Sequence, residues 1–252
     1  MTVKAIVQRV HLWAGLLLGV QVLLWMASGA VMSVFPIELV RGETSMFVSE
    51  PIALEPETYA SPGGIIAQTE GATSVELRRF MGRPVYLARR PGGAAMFDAS
   101  TGEKITPLKE AQARRVAEQD YVGEGKIVRA TLMNNPPHEY RGATPVWRLD
   151  MSDKLHTRIY VLPDTGEVRA RRNDVWRVYD FFWMLHIMDY KDRENFNNPL
   201  VITAAVTGLI FSISGIWIVI LRLGRGRYHH DLMLATGRHR RKSETETNST
   251  DA

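Results

Sequence analysis

Cysteine is absent from all 252 residues of the chain. Without thiols, the chain cannot form disulfides, bind zinc through thiolates or ligate an iron–sulfur cluster. It also lacks a glycine-rich nucleotide-binding fingerprint, so a flavin or nicotinamide module would have to come from a partner. These absences predict that the chain is not a complete enzyme of those redox classes. No catalytic residue is predicted either, because the sequence offers no identifiable nucleophile–base pair.

Charged side chains are missing from two long apolar runs, Val10–Phe35 and Pro199–Leu221. A transmembrane helix needs about 20 apolar residues, so residues 10–35 and 199–221 are predicted to span a membrane and to contact its lipid. The small residues of Ala27–Ala30 raise the alternative of a cleaved signal peptide. The first run exceeds the roughly 7–15 apolar residues of a signal peptide, which favours a retained anchor.

The charges that flank these runs predict the orientation of the chain. Lys4 and Arg9 precede the first run, and a basic segment follows the second. That segment contains Arg222, Arg225, Arg227, Arg238, Arg240, Arg241 and Lys242. Because cytoplasmic flanks carry excess Lys and Arg, residues 1–9 and 222–252 are predicted to be cytoplasmic and the middle domain to lie across the membrane. The end of the tail is predicted to be disordered. Topology accounts for the basic residues, so no nucleic-acid partner is predicted.

Residues 44–173 alternate between helix and strand patterns. Helix patterns follow Ser61 and cover Pro107–Gln119. Strand patterns occupy Val75–Phe80, Pro84–Arg89, Ala95–Asp98, Ile127–Leu132, Val146–Met151, His156–Leu162 and Glu167–Arg171. Helices packed on antiparallel strands predict an α+β fold. Residues 174–190 then form an apolar helix too short to span, which is predicted to lie in the membrane interface.

Two local matches predict that the middle domain is a duplication. Pro84-Val85-Tyr86 is similar to Pro145-Val146-Trp147, and Ser100-Thr101-Gly102-Glu103 is similar to Asp164-Thr165-Gly166-Glu167. The copies would cover about 56–104 and 107–171, each with a helix and an antiparallel sheet. The loop 134–139 of the second copy is predicted to be exposed. Asp164-Thr165-Gly166 also matches an aspartic-protease signature, but the other copy lacks the second Asp, which favours a hairpin turn.

His11 lies near the start of the first span, on a helix face that includes Gly15 and Gly19. The same face is predicted to carry Val22, Met26 and Gly29. Small residues four apart permit close helix approach, so this face is predicted to contact another helix, in a membrane partner or in a homodimer. On the second span, a matching surface is offered by Ala204, Gly208 and Ser212.

Several of these motifs occur together in one order along the chain. They are His11–Gly15, Ser28-Gly29, the two Thr-Gly-Glu turns, Leu185-His186 and Ser214–Trp217. Over about residues 10–221 the ordered set resembles the PepSY-associated transmembrane proteins. The resemblance implies a bacterial inner membrane, with a duplicated PepSY-like domain in the periplasm. Some longer members are haem-containing reductases of ferric siderophores. Trp183–Tyr190 with Phe196–Pro199 is also similar to PepSY segments fused to flavin and iron–sulfur reductase modules.

The resemblance implies an accessory or haem-carrying electron-transfer subunit of a membrane redox or iron (siderophore) uptake system. It makes His11 and His186 candidate ligands of haem b. The alternatives are a structural or interfacial role for His11 and an aromatic-belt role for His186. The siderophore reductases have four spans, whereas this chain has two. The alternative function is a cofactor-free periplasmic module that modulates peptidases or recruits partners.

The predicted topology separates the two candidate ligands. His11 and His186 would occupy opposite leaflets, about 30 Å apart, and so could not ligate one iron together. A second axial ligand would come from a second copy, from a partner or from His229-His230. His138 and His156 lack a second ligand at metal-binding spacing, so no metal-ion site is predicted.

Overall fold

A computed structural model of the chain describes residues 3–47 and 59–223. The helices of this part are α1 (Val3–Val34), α2 (Ile37–Arg41), a 3-10 helix (Glu43–Ser45), α3 (Pro62–Gln68), α4 (Glu110–Asp120), α5 (Asp174–Ile187) and α6 (Pro199–Leu223). The strands are β1 (Ser74–Phe80), β2 (Arg83–Arg90), β3 (Gly93–Asp98), β4 (Ile127–Met133), β5 (Val146–Met151), β6 (Arg158–Val161) and β7 (Val168–Arg172). The described residues form two compact units, one of 3–30 with 182–223 and the other of 31–47 with 59–181.

Two helices, α1 and residues 199–222 of α6, are long and apolar enough to cross a membrane. This agrees with the two predicted spans. The first helix begins at Val3 instead of Val10, so it includes Lys4 and Arg9. The extension is physically reasonable because residues 3–9 contain neither glycine nor proline, the two residues that most disfavour a helix.

The span helices bury a narrow stripe with alternating steps of three and four residues. On α1 the partly or fully buried positions include His11, Ala14, Leu18, Gln21, Trp25 and Ser28. On α6 they include Val201, Ala204, Gly208, Phe211, Gly215 and Ile218. This spacing keeps one seam in contact with a neighbouring helix. Gly19, Val22 and Met26 are exposed within the chain. They lie within about a quarter turn of His11 around the helix axis, beside the buried seam, and their contact with a membrane partner or a second copy stays a prediction. Ser212 is also exposed.

The first sheet is antiparallel, in the order β1-β2-β3. Successive residues of a strand point to opposite faces, and β2 is buried on both. Tyr86 and Ala88 pack in one cluster with Ile65 of α3, whereas Val85 and Leu87 belong to a second, larger core. The larger core also contains residues of α4 and of the second sheet, so the two sheets share one hydrophobic interior.

The second sheet is antiparallel in the order β4-β5-β6-β7, and α4 packs against it. Helix α4 buries Ala113, Val116 and Ala117. It begins at Glu110, after the predicted start at Pro107. The N–H of Leu108 donates to the carbonyl of Pro163 at 2.8 Å, and this bond keeps Leu108 outside the helix.

The two Thr-Gly turns have similar geometry. The N–H of Gly102 donates to the carbonyl of Asp98 at 2.8 Å, and the N–H of Gly166 donates to that of Leu162 at 2.9 Å. Both glycines have positive φ, 76° and 67°, which glycine adopts readily. The α+β class with two antiparallel sheets is confirmed, and the duplication of one PepSY-like unit stays a prediction. Helix α2 and the 3-10 helix were not predicted, because they are too short to show a period.

Candidate functional site

His11 is held by residues of α6. Its Nδ1 lies 2.8 Å from Oγ of Ser214 and 3.2 Å from the carbonyl oxygen of Phe211. The imidazole also stacks on the Phe211 ring, with 4.3 Å between centroids and 7° between the planes. A Cβ on Gly215 would lie 2.9 Å from Cε1 of His11. The glycine therefore leaves the space that the imidazole occupies.

The partners of the His11 ring decide which nitrogen carries the proton. A carbonyl oxygen only accepts hydrogen bonds, and the Ser214 hydroxyl already donates to the Phe211 carbonyl at 2.8 Å. Nδ1 must therefore carry the proton and donate it to both oxygens. The lone pair of neutral His11 is then on Nε2. A histidine that ligates a metal is typically arranged in this way, with its other N–H bonded to an oxygen.

His186 has the same kind of partner on α1. Its Nδ1 lies 3.1 Å from Oγ of Ser28, and that hydroxyl donates to the carbonyl of Trp25 at 3.1 Å. With the hydroxyl proton placed on the bond to the Trp25 carbonyl, Nδ1 of His186 is assigned as the donor and Nε2 as the atom with the lone pair. A Cβ on Gly29 would lie 3.7 Å from Cε1 of His186. Ser214-Gly215 and Ser28-Gly29 therefore each supply a serine hydroxyl that contacts an imidazole and a glycine that leaves room for the ring.

Asp189 organises the connection that follows His186. Its carboxylate accepts four backbone N–H bonds, two on each oxygen. The donors are Lys191 at 3.3 Å, Asp192 at 3.2 Å, Glu194 at 2.9 Å and Asn195 at 2.9 Å. These hydrogen bonds, led by those from Asn195 and Glu194, lower the pKa of Asp189 to about 2. The turn between α5 and α6 is thereby fixed by a carboxylate that is ionised at neutral pH.

Further bonds attach this turn to the two helices. The Asn198 amide donates to the carbonyl of Ile187 at 2.9 Å. The indole N–H of Trp183 donates to the carbonyl of Arg193 at 3.1 Å. The end of α5, which carries His186, is therefore fixed relative to the start of α6.

An open groove of about 520 Å³ lies beside His11. Its lining consists of Gln8, His11, Leu12, Gly215, Ile218, Val219 and Arg222. The groove combines an imidazole, aliphatic walls and an amide with a guanidinium. This is the usual composition of a site for a largely apolar ligand with polar groups at one edge.

Two buried donors in the α1 seam have no hydrogen-bond partner among the described residues. They are Nε2 of Gln21 and Nε1 of Trp25. Trp25 lies one turn before Ser28, and Gln21 lies one further turn away. Such groups are costly away from water, so each calls for an acceptor that these residues do not supply.

The family model described as PepSY-associated TM region matches residues 8–248. The chain belongs to that family. No curated protein and no solved structure matches it. As a PepSY-associated TM protein with two candidate spans, the chain is a membrane protein.

In this PepSY-associated TM protein the two histidines are far apart. His186 bonds Ser28, which follows His11 by 17 residues on one helix. At about 1.5 Å of rise per residue, the two sites lie about 26 Å apart along the axis. The groove beside His11 offers no second histidine. His229 and His230, the predicted alternative ligands, lie outside the described residues.

The predicted exposure of loop 134–139 is wrong for its last residue. Glu139 is 8% exposed and is surrounded by donors. Its Oε1 accepts from the Tyr160 hydroxyl at 2.7 Å and from Arg158 at 2.9 Å, while its Oε2 accepts from Arg177 at 2.9 Å. Arg172 donates to its carbonyl at 2.7 Å. The carboxylate thus joins this loop to β6 and the first turn of α5, and the Glu139 carbonyl joins it to β7.

The ionisation of this cluster follows from its burial and its hydrogen bonds. Burial by itself raises the pKa of Glu139, but the hydrogen bonds from Tyr160, Arg177 and Arg158 outweigh it and lower the pKa. Burial and the bond to Glu139 raise the pKa of Tyr160 well above its ordinary value. Burial lowers the pKa of Arg172. Nearby, the Nδ1 of His156 lies 2.6 Å from Asp174 and lowers the pKa of that carboxyl.

Proposed function

We propose that this PepSY-associated TM protein is a haem-carrying electron-transfer subunit of a membrane redox or iron (siderophore) uptake system. His11 and His186 would each hold one haem b through Nε2. Haem b supplies one-electron transfer when it is bound. The chain itself would position the two sites at opposite ends of the span pair, one for each side of the membrane.

One observation carries this proposal: in both imidazoles Nδ1 lies within hydrogen-bonding distance of a serine oxygen, an arrangement that would leave Nε2 to ligate a metal. The groove beside His11 fits the remainder of the group. Leu12, Ile218 and Val219 would face the macrocycle, and Gly215 would permit close approach. Arg222 would pair with a propionate.

The His186 site fits haem less completely than the His11 site, but a separate observation supports it. The orphaned donors of Gln21 and Trp25 lie on the same seam as Ser28, within two turns of it. An acceptor such as a propionate would satisfy them at a depth where water is scarce. No residue of the described chain lines the His11 groove as a second axial ligand. A second copy, a membrane partner or His229-His230 would complete the coordination.

The test of this proposal is the visible spectrum of the purified protein in mild detergent, oxidised and reduced. A Soret band with sharp α and β bands is expected. Each of His11→Ala and His186→Ala should remove about half of the haem, and the double variant should remove all of it. His138→Ala, which changes an exposed loop histidine, serves as the control. A folded protein that stays colourless after reconstitution with haem excludes the proposal.

The proposed location is a bacterial inner membrane, with both termini cytoplasmic and the α+β domain periplasmic. The charges that flank the spans support it. Because the chain has no cysteine, single cysteines report topology without background. Glu118→Cys should react with an impermeant maleimide on intact spheroplasts, and Lys4→Cys only after permeabilisation. The opposite labelling would invert the topology.

A second function is cofactor-free peptide binding by the α+β domain. Strand β4 is an edge of its sheet, and it exposes Val128 and Leu132, at 65% and 48%. An extended peptide can add a strand to such an edge. Thr131→Pro would remove a backbone donor from this strand and should abolish peptide capture while leaving haem content unchanged.

A further inference from the structure

An open cleft of about 610 Å³ lies where the first sheet meets the N-terminal half of α4. It is lined by Phe80, Met81, Arg83, Val85, Asp98, Glu103, Lys104, Ile105, Lys109, Gln112 and Arg115. Its size falls within the range of small-molecule sites in proteins. All of these residues belong to the α+β unit, and none lies in either span.

Four cations face this cleft without an ion-pair partner. Within residues 3–47 and 59–223, the side chains of these four make no ion pair or hydrogen bond. They are Arg83, Lys104, Lys109 and Arg115. The neighbouring Arg114 differs, since it pairs with Glu110 at 2.8 Å. Four unpaired cations in one concavity repel each other, and an anionic ligand would remove that cost.

The carboxylates of the cleft do not neutralise these cations. One oxygen of Asp98 accepts the N–H groups of Ser100 and Thr101, at 2.9 and 3.1 Å. The Asp98 carboxylate therefore stabilises the turn that follows β3. The other acidic residue in the lining of the cleft is Glu103. Four positive and two negative side chains leave the lining with a formal charge of +2. A dianion is the matching ligand charge.

The N-terminus of α4 adds to this preference. Lys109 is the N-cap residue of an 11-residue helix. A cation is unfavourable there, because the helix dipole is positive at that end. The N–H of Lys109 is satisfied by Gln112 at 2.8 Å, so the ammonium group is not needed to cap the helix. A bound anion beside the Lys109 ammonium group would offset its unfavourable interaction with the helix dipole.

We propose that this cleft binds a small organic dianion, with two carboxylate-type groups on an apolar body. The four cations would bind the charged groups. The apolar surfaces of Phe80, Val85 and Ile105 would contact the body of the ligand. The site differs from the histidine sites in ligand class and needs no haem.

Isothermal titration of the full-length protein in detergent tests the proposal, with phthalate as the probe. Benzoate, with the same ring and one carboxylate, is the matched ligand. Phthalate should bind saturably and more tightly than benzoate, and added salt should weaken it. Arg115→Gln should weaken phthalate binding about two- to fivefold, as expected for loss of one exposed charge contact. Arg114→Gln, on the next residue of the same helix, should leave it unchanged.

Four outcomes would overturn the proposal. The first is no saturable heat with phthalate, and the second is equal affinity for benzoate and phthalate. The third is binding of polyglutamate without binding of phthalate, which would make the cleft a protein-docking surface. Equal losses in Arg114→Gln and Arg115→Gln would likewise assign the binding to general surface charge. Haem content does not enter any of these readouts, so the result is independent of the electron-transfer proposal.

Discussion

The imidazole of His186 and the hydroxyl of Ser28 lie 3.1 Å apart, although 158 residues separate them in the chain. The His11–Ser214 pair repeats this contact between other helices. Here the histidine lies on α1 and the serine on α6, whereas His186 lies on α5 and Ser28 on α1. In both pairs the serine donates to the carbonyl three residues before it. Each serine oxygen is thereby left to accept from Nδ1, and both histidines adopt the same tautomer.

Removal of the two serine hydroxyls should have unequal effects. In Ser28→Ala, Nδ1 of His186 loses the one acceptor that the structure gives it. In Ser214→Ala, Nδ1 of His11 keeps the Phe211 carbonyl at 3.2 Å. Loss of such a partner typically costs 10- to 100-fold in metal affinity. We therefore expect about tenfold weaker haem retention in Ser28→Ala and a smaller change in Ser214→Ala, measured by haem transfer to apomyoglobin. Equal effects would contradict the assigned tautomers.

The glycines of α1 and α6 should also differ in their tolerance of a methyl group. A Cβ on Gly215 would lie 2.9 Å from His11, whereas one on Gly19 would meet nothing within 4 Å. Gly215→Ala is expected to displace the imidazole and reduce haem binding at His11. Gly19→Ala should bind haem as the natural chain does. The ratio of Soret to protein absorbance measures both, and an unaffected Gly215→Ala would place the ligand elsewhere.

Much of the architecture follows from local patterns in the sequence. The period of two predicted β5 at its observed bounds, and the apolar runs predicted both span helices. The period of α1 did not show which residues of the His11 face would be buried within the chain, because the neighbouring helix selects the seam. Gly15 faces Phe211 of α6 within the chain, whereas the contact of Gly19 with another helix stays a prediction.

The candidate sites were less accessible to sequence reasoning. His11 and His186 stood out as ionisable residues in or near apolar segments. Ser28 and Ser214 were singled out only within the motifs of the family resemblance. Their pairing with the histidines was not predicted, since contacts across 158 and 203 positions leave no periodic signal. Asp189 and Glu139 were missed for a similar reason. A carboxylate in a polar loop reads as solvated until the donors around it are known.

The open face around Gly19 gives a test of self-association. Gly15 already packs on Phe211 within the chain, so only Gly19 is available to a second copy or partner. Small residues permit close helix approach in membranes. If the predicted homodimer uses this face, Gly19→Leu should lower the crosslinked dimer fraction, while Val20→Leu at a 68% exposed neighbour should not. An unchanged dimer in both variants would remove this face from the interface.

Asp189→Asn should loosen the connection between α5 and α6. An amide keeps one acceptor oxygen and loses the other, so about half of the four backbone bonds lose their acceptor. Because the folded pKa of about 2 is below the ordinary value of 3.8, the carboxylate stabilises the fold fully above about pH 4 and loses this effect toward pH 2. At neutral pH, hydrogen exchange at Glu194 and Asn195 should accelerate about tenfold in the variant. Asp192→Asn, a change at an exposed residue of the same turn, should leave those rates unchanged.

Glu139→Gln tests whether the buried carboxylate holds its loop against the second sheet. The change removes one of two carboxylate partners from each arginine: Arg158 keeps Asp150 and Arg177 keeps Asp174. Loss of the charged acceptor in such a cluster is expected to cost about 1.5–3 kcal/mol of unfolding free energy. Urea unfolding followed by tryptophan fluorescence measures this loss. Glu118→Gln, at an exposed position of α4, is the control and should change the unfolding free energy by less than about 0.5 kcal/mol.

The dependence of stability on pH gives a second readout for Glu139. Its pKa is lowered in the folded protein from the ordinary 4.5, so the folded state binds fewer protons than the unfolded state in this range. Its contribution is therefore complete above about pH 5 and is lost as the pH falls through the lowered pKa. Between pH 7 and pH 4, the natural chain should lose more unfolding free energy than Glu139→Gln, whose amide does not titrate. Parallel pH profiles for the two proteins would show that this carboxylate does not stabilise the fold through its charge.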